Sequence, residues 1–444
     1  MNSWKQVDPL MYRQGEKVLR ILIDQGYEAY FVGGCVRDEL MGREVHDMDI
    51  ATSARPEQVI SLFERTVPTG IQHGTVMVLM EDHSFEVTTF RKEADYEDHR
   101  RPSRVEFVDA IKEDLQRRDF TMNAMALSID GRLIDPFGGR EDIAARLIRC
   151  VGAAEERFEE DALRMMRAIR FASIFGFKPV KSLWRALLIG REKLTFIAME
   201  RIRAELERML EGPHPLRGLA FIHRSGVIDY VKYPLTYELP LRQSYLQTLE
   251  TPSLKGLEKR LYLLLRGVRM SGDDAIEWLK QWTFPNRIAE QTTKLIQFDE
   301  QWLAQLVIHE AEPKEREELR KAWISLELAY GRATTAAWLQ CHQALLQSLI
   351  QAGSLVLEEE QLTVTHLHKY LEQASKWHDE MKVYELRDLA VAGSDMIEGL
   401  GMKGGPWLGQ LMKQLLERVA LGKLNNEREA LLEYAKDVMN QDGI

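Results

Sequence analysis

At 444 residues, 45% hydrophobic and 29% charged, the chain is too long for one core and has the composition of two to four globular domains. Cys35, Cys150 and Cys341 are odd in number and far apart, which argues against a disulfide framework or a zinc spacing and leads us to expect a reducing cytoplasm. The net charge of −10 is unevenly spread, with 33 Lys and Arg against 29 Asp and Glu over residues 101–300 between two acidic ends, so it does not exclude a nucleic-acid partner.

In chain order, residues 1–145 read as mixed α/β. Short strand candidates fall at 30–32, 48–51, 75–79 and 85–89, bounded by Gly, Asp or His, while 57–64 and 122–127 read as helices. Beyond about residue 150 the pattern changes to long amphipathic helical runs, such as 155–175, 200–210 and 254–269. Breaks at Gly212-Pro213-His214-Pro215, at Thr283-Phe284-Pro285-Asn286 and around Gly353 punctuate them. Gly404-Gly405-Pro406-Trp407 restarts a helix, with Pro early enough that its missing N–H costs nothing. We find no internal repeat. No stretch approaches the ~18 apolar residues that span a bilayer, so no membrane partner is expected. The expected fold class is an α/β head, a small mixed sheet with helices, followed by an all-α remainder.

The first chemical signal is Asp47-Met48-Asp49, shortly after Gly33-Gly34-Cys35-Val36-Arg37-Asp38. A strand directs residues i and i+2 to one face, so Asp47 and Asp49 should point together. Two hard carboxylates at one spot suit Mg²⁺, which takes its other ligands from phosphates and water. The glycines let backbone N–H groups approach an anion, and the helix they open adds its positive end. Metal-dependent nucleotide chemistry is therefore expected here rather than a solvated turn.

Next comes Arg117-Arg118-Asp119-Phe120-Thr121-Met122-Asn123. Its two arginines are either a solvated helix start or, beside a triphosphate, a means of neutralising the leaving group. The run Glu160-Asp161-Ala162-Leu163-Arg164, continuing to Arg167 and Arg170, carries the second signal. On one helix, Asp161 and Arg164 would be i,i+3 neighbours, and a plain surface pair is the modest reading. A carboxylate only accepts and a guanidinium only donates. Cytosine and adenine present an amine donor beside a ring-nitrogen acceptor, whereas uracil and guanine present the reverse. A fixed Asp161/Arg164 pair could therefore accept C and A and reject U and G, each mismatch leaving polar groups unpaired. Arg167 and Arg170 could hold phosphates or stack on the base.

Taken together, these runs resemble the bacterial class-II CCA-adding enzymes, which share a head with bacterial poly(A) polymerases. The likeness is carried by Gly33 to Asp38, His46 to Thr52, His73-Gly74-Thr75-Val76, Arg117 to Ala124, Asp135-Pro136-Phe137-Gly138-Gly139 and Glu160 to Phe171, and less specifically by Gly404 to Gly409. It implies a nucleotidyltransferase head of five-stranded type over 1–145, a helical neck with base recognition over 146–212, an RNA-binding body over 213–300 and a tRNA-binding tail over 301–444. It also implies Mg²⁺-dependent, untemplated addition of C, C and A to the tRNA 3′ end from CTP and ATP. Asp47 and Asp49 then match the metal-binding carboxylates. Gly34, Arg37 and Arg118 match nucleotide-contacting positions, Asp161 and Arg164 the base-reading pair, and Arg167 and Arg170 further nucleotide contacts. Glu86 is a candidate third carboxylate, with an edge-strand surface residue as the alternative.

Residues 91–102 resemble the family's flexible loop, and a dense alternation of charge without apolar anchors should be mobile. Its presence favours full CCA addition over CC-only or A-only activity; a poly(A) polymerase is the remaining enzymatic alternative, although the acidic C-terminal part speaks against it. The basic helices between 201 and 294 should follow the acceptor stem through backbone charge and shape. Trp278, Trp282 and Trp302 are expected in the core rather than as RNA-stacking platforms, and His378-Asp379 lacks the companions a metal phosphohydrolase needs.

Overall fold

The computed structural model describes residues 4–97, 101–235, 239–308, 315–354, 356–357 and 362–441. It divides into two compact units, Met1–Leu235 and Thr236–Ile444.

The first unit begins with α1 (Pro9–Asp24), whose Asp8 cap accepts the N–H groups of Leu10 and Met11, both at 2.9 Å. Strands β1 (Ala29–Val32), β2 (Asp49–Thr52), β3 (Thr66–Gly70), β4 (Thr75–Leu79) and β5 (Ser84–Thr89) follow, interleaved with α2 (Gly34–Leu40) and α3 (Pro56–Leu62). A two-stranded ribbon, β6 (Arg91–Glu97) and β7 (Arg101–Phe107), precedes α4 (Ile111–Gln116) and the short strands β8 (Ala126–Leu127) and β9 (Leu133–Ile134). The main sheet runs β3-β4-β5-β2-β1-β8-β9. Its pairs are antiparallel except β2 with β5, where Ile50 faces Val87. Alternation along β4 and β5 buries Val76, Val78, Phe85 and Val87 against Val18, Leu19 and Leu22 of α1 and Val59 of α3. On the opposite face, Val32, Ala51 and Ala126 pack with Ile111 and Leu115 of α4.

Three expectations change. The sheet has seven strands rather than five: the four strand candidates, β1, β2, β4 and β5, are joined by β3 at one edge and by the two-residue strands β8 and β9 at the other. Residues 122–127 are not a helix: a 3-10 turn, Thr121–Asn123, leads into β8, which pairs with Phe31 and Val32. Met122, Ala124, Met125 and Ala126 are all 0% exposed, and a short run buried on every side carries no period that separates helix from strand. The helix expected over 155–175 is broken into α6 (Ala154–Glu160) and α7 (Leu163–Phe175), which follow α5 (Gly139–Ala144). Asp161 is extended at φ −145 and ψ 102, and its Oδ1 accepts the N–H of Leu163 at 3.1 Å. A short acidic side chain bonding its own backbone competes with helix at that point. The charged stretch 91–102 forms much of the ribbon β6/β7; residues 98–100 and the side chains of 93–105 lie outside the described residues. Helices α8 (Lys181–Gly190), α9 (Met199–Leu210) and α10 (Pro215–Ser225) complete the unit.

The second unit is helical from α11 (Gln243–Thr248) through α12 (Leu257–Gly267), α13 (Gly272–Gln281), α14 (Asn286–Ile308), α15 (Glu315–Tyr330) and α16 (Arg332–Gln351) to α17 (Val364–Glu380). It ends with α18 (Gly393–Leu400), α19 (Pro406–Ala420) and α20 (Arg428–Gln441), and Pro406 opens its helix as expected. Trp278, Trp282 and Trp302 lie in its core at 5%, 0% and 1% exposure. Buried Asp299 accepts Arg266 Nε at 2.7 Å and Trp338 Nε1 at 2.8 Å. His378 pairs with buried Glu327 at 2.8 Å, so its role is in packing. Among the described residues no helix is long and apolar enough to cross a membrane.

Candidate active site

The turn between β1 and α2 builds one wall of a cleft. Gly33 has φ +74, and a Cβ there would lie 2.8 Å from Arg118 Nη1, so only glycine lets that guanidinium rest on the turn. Pairing of Val32 with Asp49 sets the first residue of β2 beside this turn. Asp47 precedes the strand and is exposed, while Asp49 is half-buried within it. Both carboxylates line a cleft of about 500 Å³ together with Gly34, Arg37, Arg118, Asp161, Arg164, Arg167 and Arg170. Nine candidate residues separated by up to 136 positions thus meet in one place.

Burial, then the neighbouring charge of Asp47 and more weakly Glu86, pushes the Asp49 carboxyl up to about 6 against the opposing pull of Arg118. Such crowding is relieved by a cation, and two carboxylates suffice for Mg²⁺ when water and phosphate supply the rest. The donor set therefore fits that ion. Among the described residues, no group of three His, Cys, Asp or Glu side chains closes around a point. Glu86 is exposed on β5, next to Val87, which faces Ile50; it sits near Asp49 but does not line the cleft.

Every arginine of the cleft is held by a carboxylate or carbonyl. Arg37 forks onto Asp38 at 3.0 and 2.7 Å and donates to Asn123 Oδ1 at 2.6 Å. Asn123 in turn donates to Asp119 Oδ1 at 3.0 Å, and Asp119 Oδ2 accepts Arg167 Nε at 2.8 Å. Burial alone would raise Asp119, but the charges of Arg167 and Arg164 and the Asn123 bond bring it down to about 2. Arg170 donates to buried Glu205 and lies 4.0 Å over the Phe171 ring.

Asp161 and Arg164 do not pair with each other. The break between α6 and α7 turns Asp161 toward Arg201, which donates to both of its oxygens at 2.7 and 3.3 Å. Arg164, 7% exposed, donates to Glu160 at 2.5 Å and to the Arg117 carbonyl at 3.1 Å. Each is anchored separately, and both face the same cleft. Sequence reasoning did not single out Asp114, Arg201 or Glu205, and it named Asn123 only as the end of the 117–123 run. Glu205 had a signal, an acid among the apolar positions of α9; Arg201, 40 residues from Asp161, had none.

Comparison with known proteins agrees with this architecture. Residues 29–149 match the family described as "Poly A polymerase head domain", residues 176–237 "Probable RNA and SrmB-binding site of polymerase A", and residues 258–435 a tRNA nucleotidyltransferase domain 2. The CCA-adding enzyme of Lactiplantibacillus plantarum is 36% identical over 97% of each chain. That of Bacillus velezensis is 37% identical over 94% of this chain and 96% of its own. A crystal structure of the Bacillus stearothermophilus CCA-adding enzyme in complex with CTP superposes with a TM-score of 0.76 at 31% identity, over 98% of this chain and 99% of that one. With relatives this similar over nearly its whole length, the chain belongs to the CCA-adding enzyme family of nucleotidyltransferases.

Proposed function

We propose that this chain adds C, C and A to the 3′ end of tRNA from CTP and ATP, without a nucleic-acid template, releasing pyrophosphate at each step. What supports this most is the lining of a single cleft by a carboxylate pair, a glycine turn, a set of arginines and the Asp161/Arg164 combination. The terminal ribose oxygen attacks the α-phosphorus of the triphosphate, and the bond to pyrophosphate breaks. Asp47 and Asp49 would hold Mg²⁺, which when bound favours ionisation of the attacking hydroxyl and neutralises the leaving group. Gly34, Arg37 and Arg118 receive the triphosphate, and Arg118 offsets charge on the departing phosphates. Glu86 adds negative potential from the flank.

Asp161 accepts the exocyclic amine of C or A, and Arg164 donates to the adjacent ring nitrogen. Because each is held by its own partner, neither can rotate to suit U or G without losing bonds. Arg167 and Arg170 contact the nucleotide beside them. The basic helices from 201 to 294 follow the acceptor stem, within a finer division into head (1–145), neck (146–212), body (213–300) and tail (301–444). Three buried free cysteines suit a reducing cytoplasm.

The test is incubation with tRNA lacking its last three nucleotides, Mg²⁺ and each labelled nucleotide in turn. Two CTP additions followed by one ATP are expected. Long ATP tracts would indicate a poly(A) polymerase, arrest after CC or uptake of A alone a partial enzyme, and no uptake an RNA-binding protein that has kept only the fold.

A further inference from the structure

In the cleft, carboxylates neutralise arginines: buried Asp114 accepts Arg117 Nε at 2.9 Å and Arg118 Nη2 at 3.3 Å. A second hollow in the first unit is built differently. It lies where β11 (Lys178–Pro179), parallel to β10 (Leu147–Ile148), meets α8 and α10. Its volume of about 550 Å³ falls within the ~300–1,000 Å³ of ligand sites. Arg217, Ala220, Phe221 and Arg224 fall at i, i+3, i+4 and i+7, so one face of α10 lines it. Trp184 of α8 meets Phe221 with ring centroids 5.6 Å apart, and the two half-buried rings make an aromatic floor. Arg217 donates Nε to the Ala172 carbonyl and Nη2 to the Phe177 carbonyl, each at 3.0 Å, with its guanidinium carbon 5.6 Å from the centre of the Phe221 ring. Carbonyls fix its direction without cancelling its charge. Among the described residues, no carboxylate pairs with Lys178, Arg217 or Arg224, and none lines the hollow.

We propose that this hollow is a second nucleotide site, outside the catalytic cleft, which takes a phosphorylated nucleoside whose base is unpaired. Cations around an aromatic floor suit a ligand that is flat and apolar at one end and anionic at the other. The base stacks on Trp184 and Phe221, while Lys178, Arg224 and the remaining N–H groups of Arg217 hold the phosphate. An acidic peptide offers charge but no face for the floor. Bases inside a duplex are stacked on one another, so the acceptor stem does not use it either. The site shares no residue with the cleft and does not depend on the roles proposed there. The nucleotide comes either free in solution or within a single strand of RNA, since ring and phosphate are the same in both.

Guanine and uracil are the bases the cleft is expected to refuse, so the probes are GMP and the RNA hexamer UGUGUG closed by a 3′-phosphate. Equilibrium dialysis of each labelled probe against the full-length protein should show saturable binding that weakens as salt is raised. Trp184→Ala should weaken it by about tenfold and Lys178→Glu by about threefold, with labelled CTP retained as by the natural protein. GMP held as tightly as the hexamer marks a free-nucleotide site, and a hexamer held far more tightly marks a site for an RNA strand. Failure of both probes to bind, or binding that neither variant changes, would overturn the site. So would displacement of GMP by hexaglutamate at equal concentration, the mark of a plain basic surface. If Trp184→Ala fails to fold, as judged by circular dichroism, Lys178→Glu decides, since that side chain is exposed. Arg118→Ala tells the two sites apart: GMP binding should be unaffected, and its loss there with retention in the Trp184 and Lys178 variants would put the probe in the cleft.

Discussion

Asp47 and Asp49 differ in burial by enough to give them separate tasks. Asp49 is fixed in β2 with its carboxyl pushed up to about 6, and Asp47 stands exposed at the cleft mouth. Replacing Asp47 with Asn removes one hard ligand at constant shape. Addition of both C and A should fall by about 10²–10³-fold, with tRNA retention on a filter nearly unchanged; parallel loss of binding would reject a metal role. Asp119 lends itself to a pH test. Its folded value near 2 lies below the ordinary range, so its contribution is complete above about pH 4 and fades as the pH drops toward 2. Urea titrations should place Asp119→Asn roughly 2–3 kcal/mol below the natural protein at pH 7, with the gap closing near pH 2. A gap that persists into acid would show that shape, not charge, holds Arg167.

At the scale of elements, the break between α6 and α7 matters most. A continuous helix would pair Asp161 with Arg164 and occupy the groups needed for the base. The interruption gives each its own anchor, Arg201 and Glu160, without taking either out of the cleft. Asp161→Ala should therefore relax choice among nucleotides, raising UTP use relative to CTP by about tenfold or more, while Mg²⁺ dependence stays as it was. Unchanged rejection of UTP and GTP would count against base reading. The site itself was largely legible because the carboxylate pair, the glycine turn and the arginine run are each local. The broken helix was not, because its cause is one side chain bonding the backbone two residues on.

For the molecule as a whole, the two compact units carry separate buried ion clusters. In the second, Asp299 neutralises Arg266 inside an aromatic core that includes Trp302 and Trp338. Asp299→Ala removes the nearer carboxylate of this buried guanidinium, leaving Glu300 at 3.5 Å, and also strips the Trp338 indole of its acceptor, so it should cost about 3 kcal/mol. Calorimetry should then resolve an early transition belonging to residues 236–444, and CTP affinity measured below it should match that of the natural protein. A single merged transition would show that the units unfold as one.

Local patterns sufficed for much of this protein. Short runs bounded by Gly, Asp or His marked β1, β2, β4 and β5, amphipathic periodicity marked the helical remainder, and short motifs supplied nearly every cleft residue, because turn chemistry, pitch and pleat act over a few neighbours. Tertiary structure alone decided the edge strands, the state of 122–127, the distance of Glu86 from the cleft and the partners Arg201, Glu205 and Asp114. Those outcomes depend on hydrogen bonds and charges between residues far apart in the chain, where a buried donor or carboxylate must find whichever counterpart the fold brings to it.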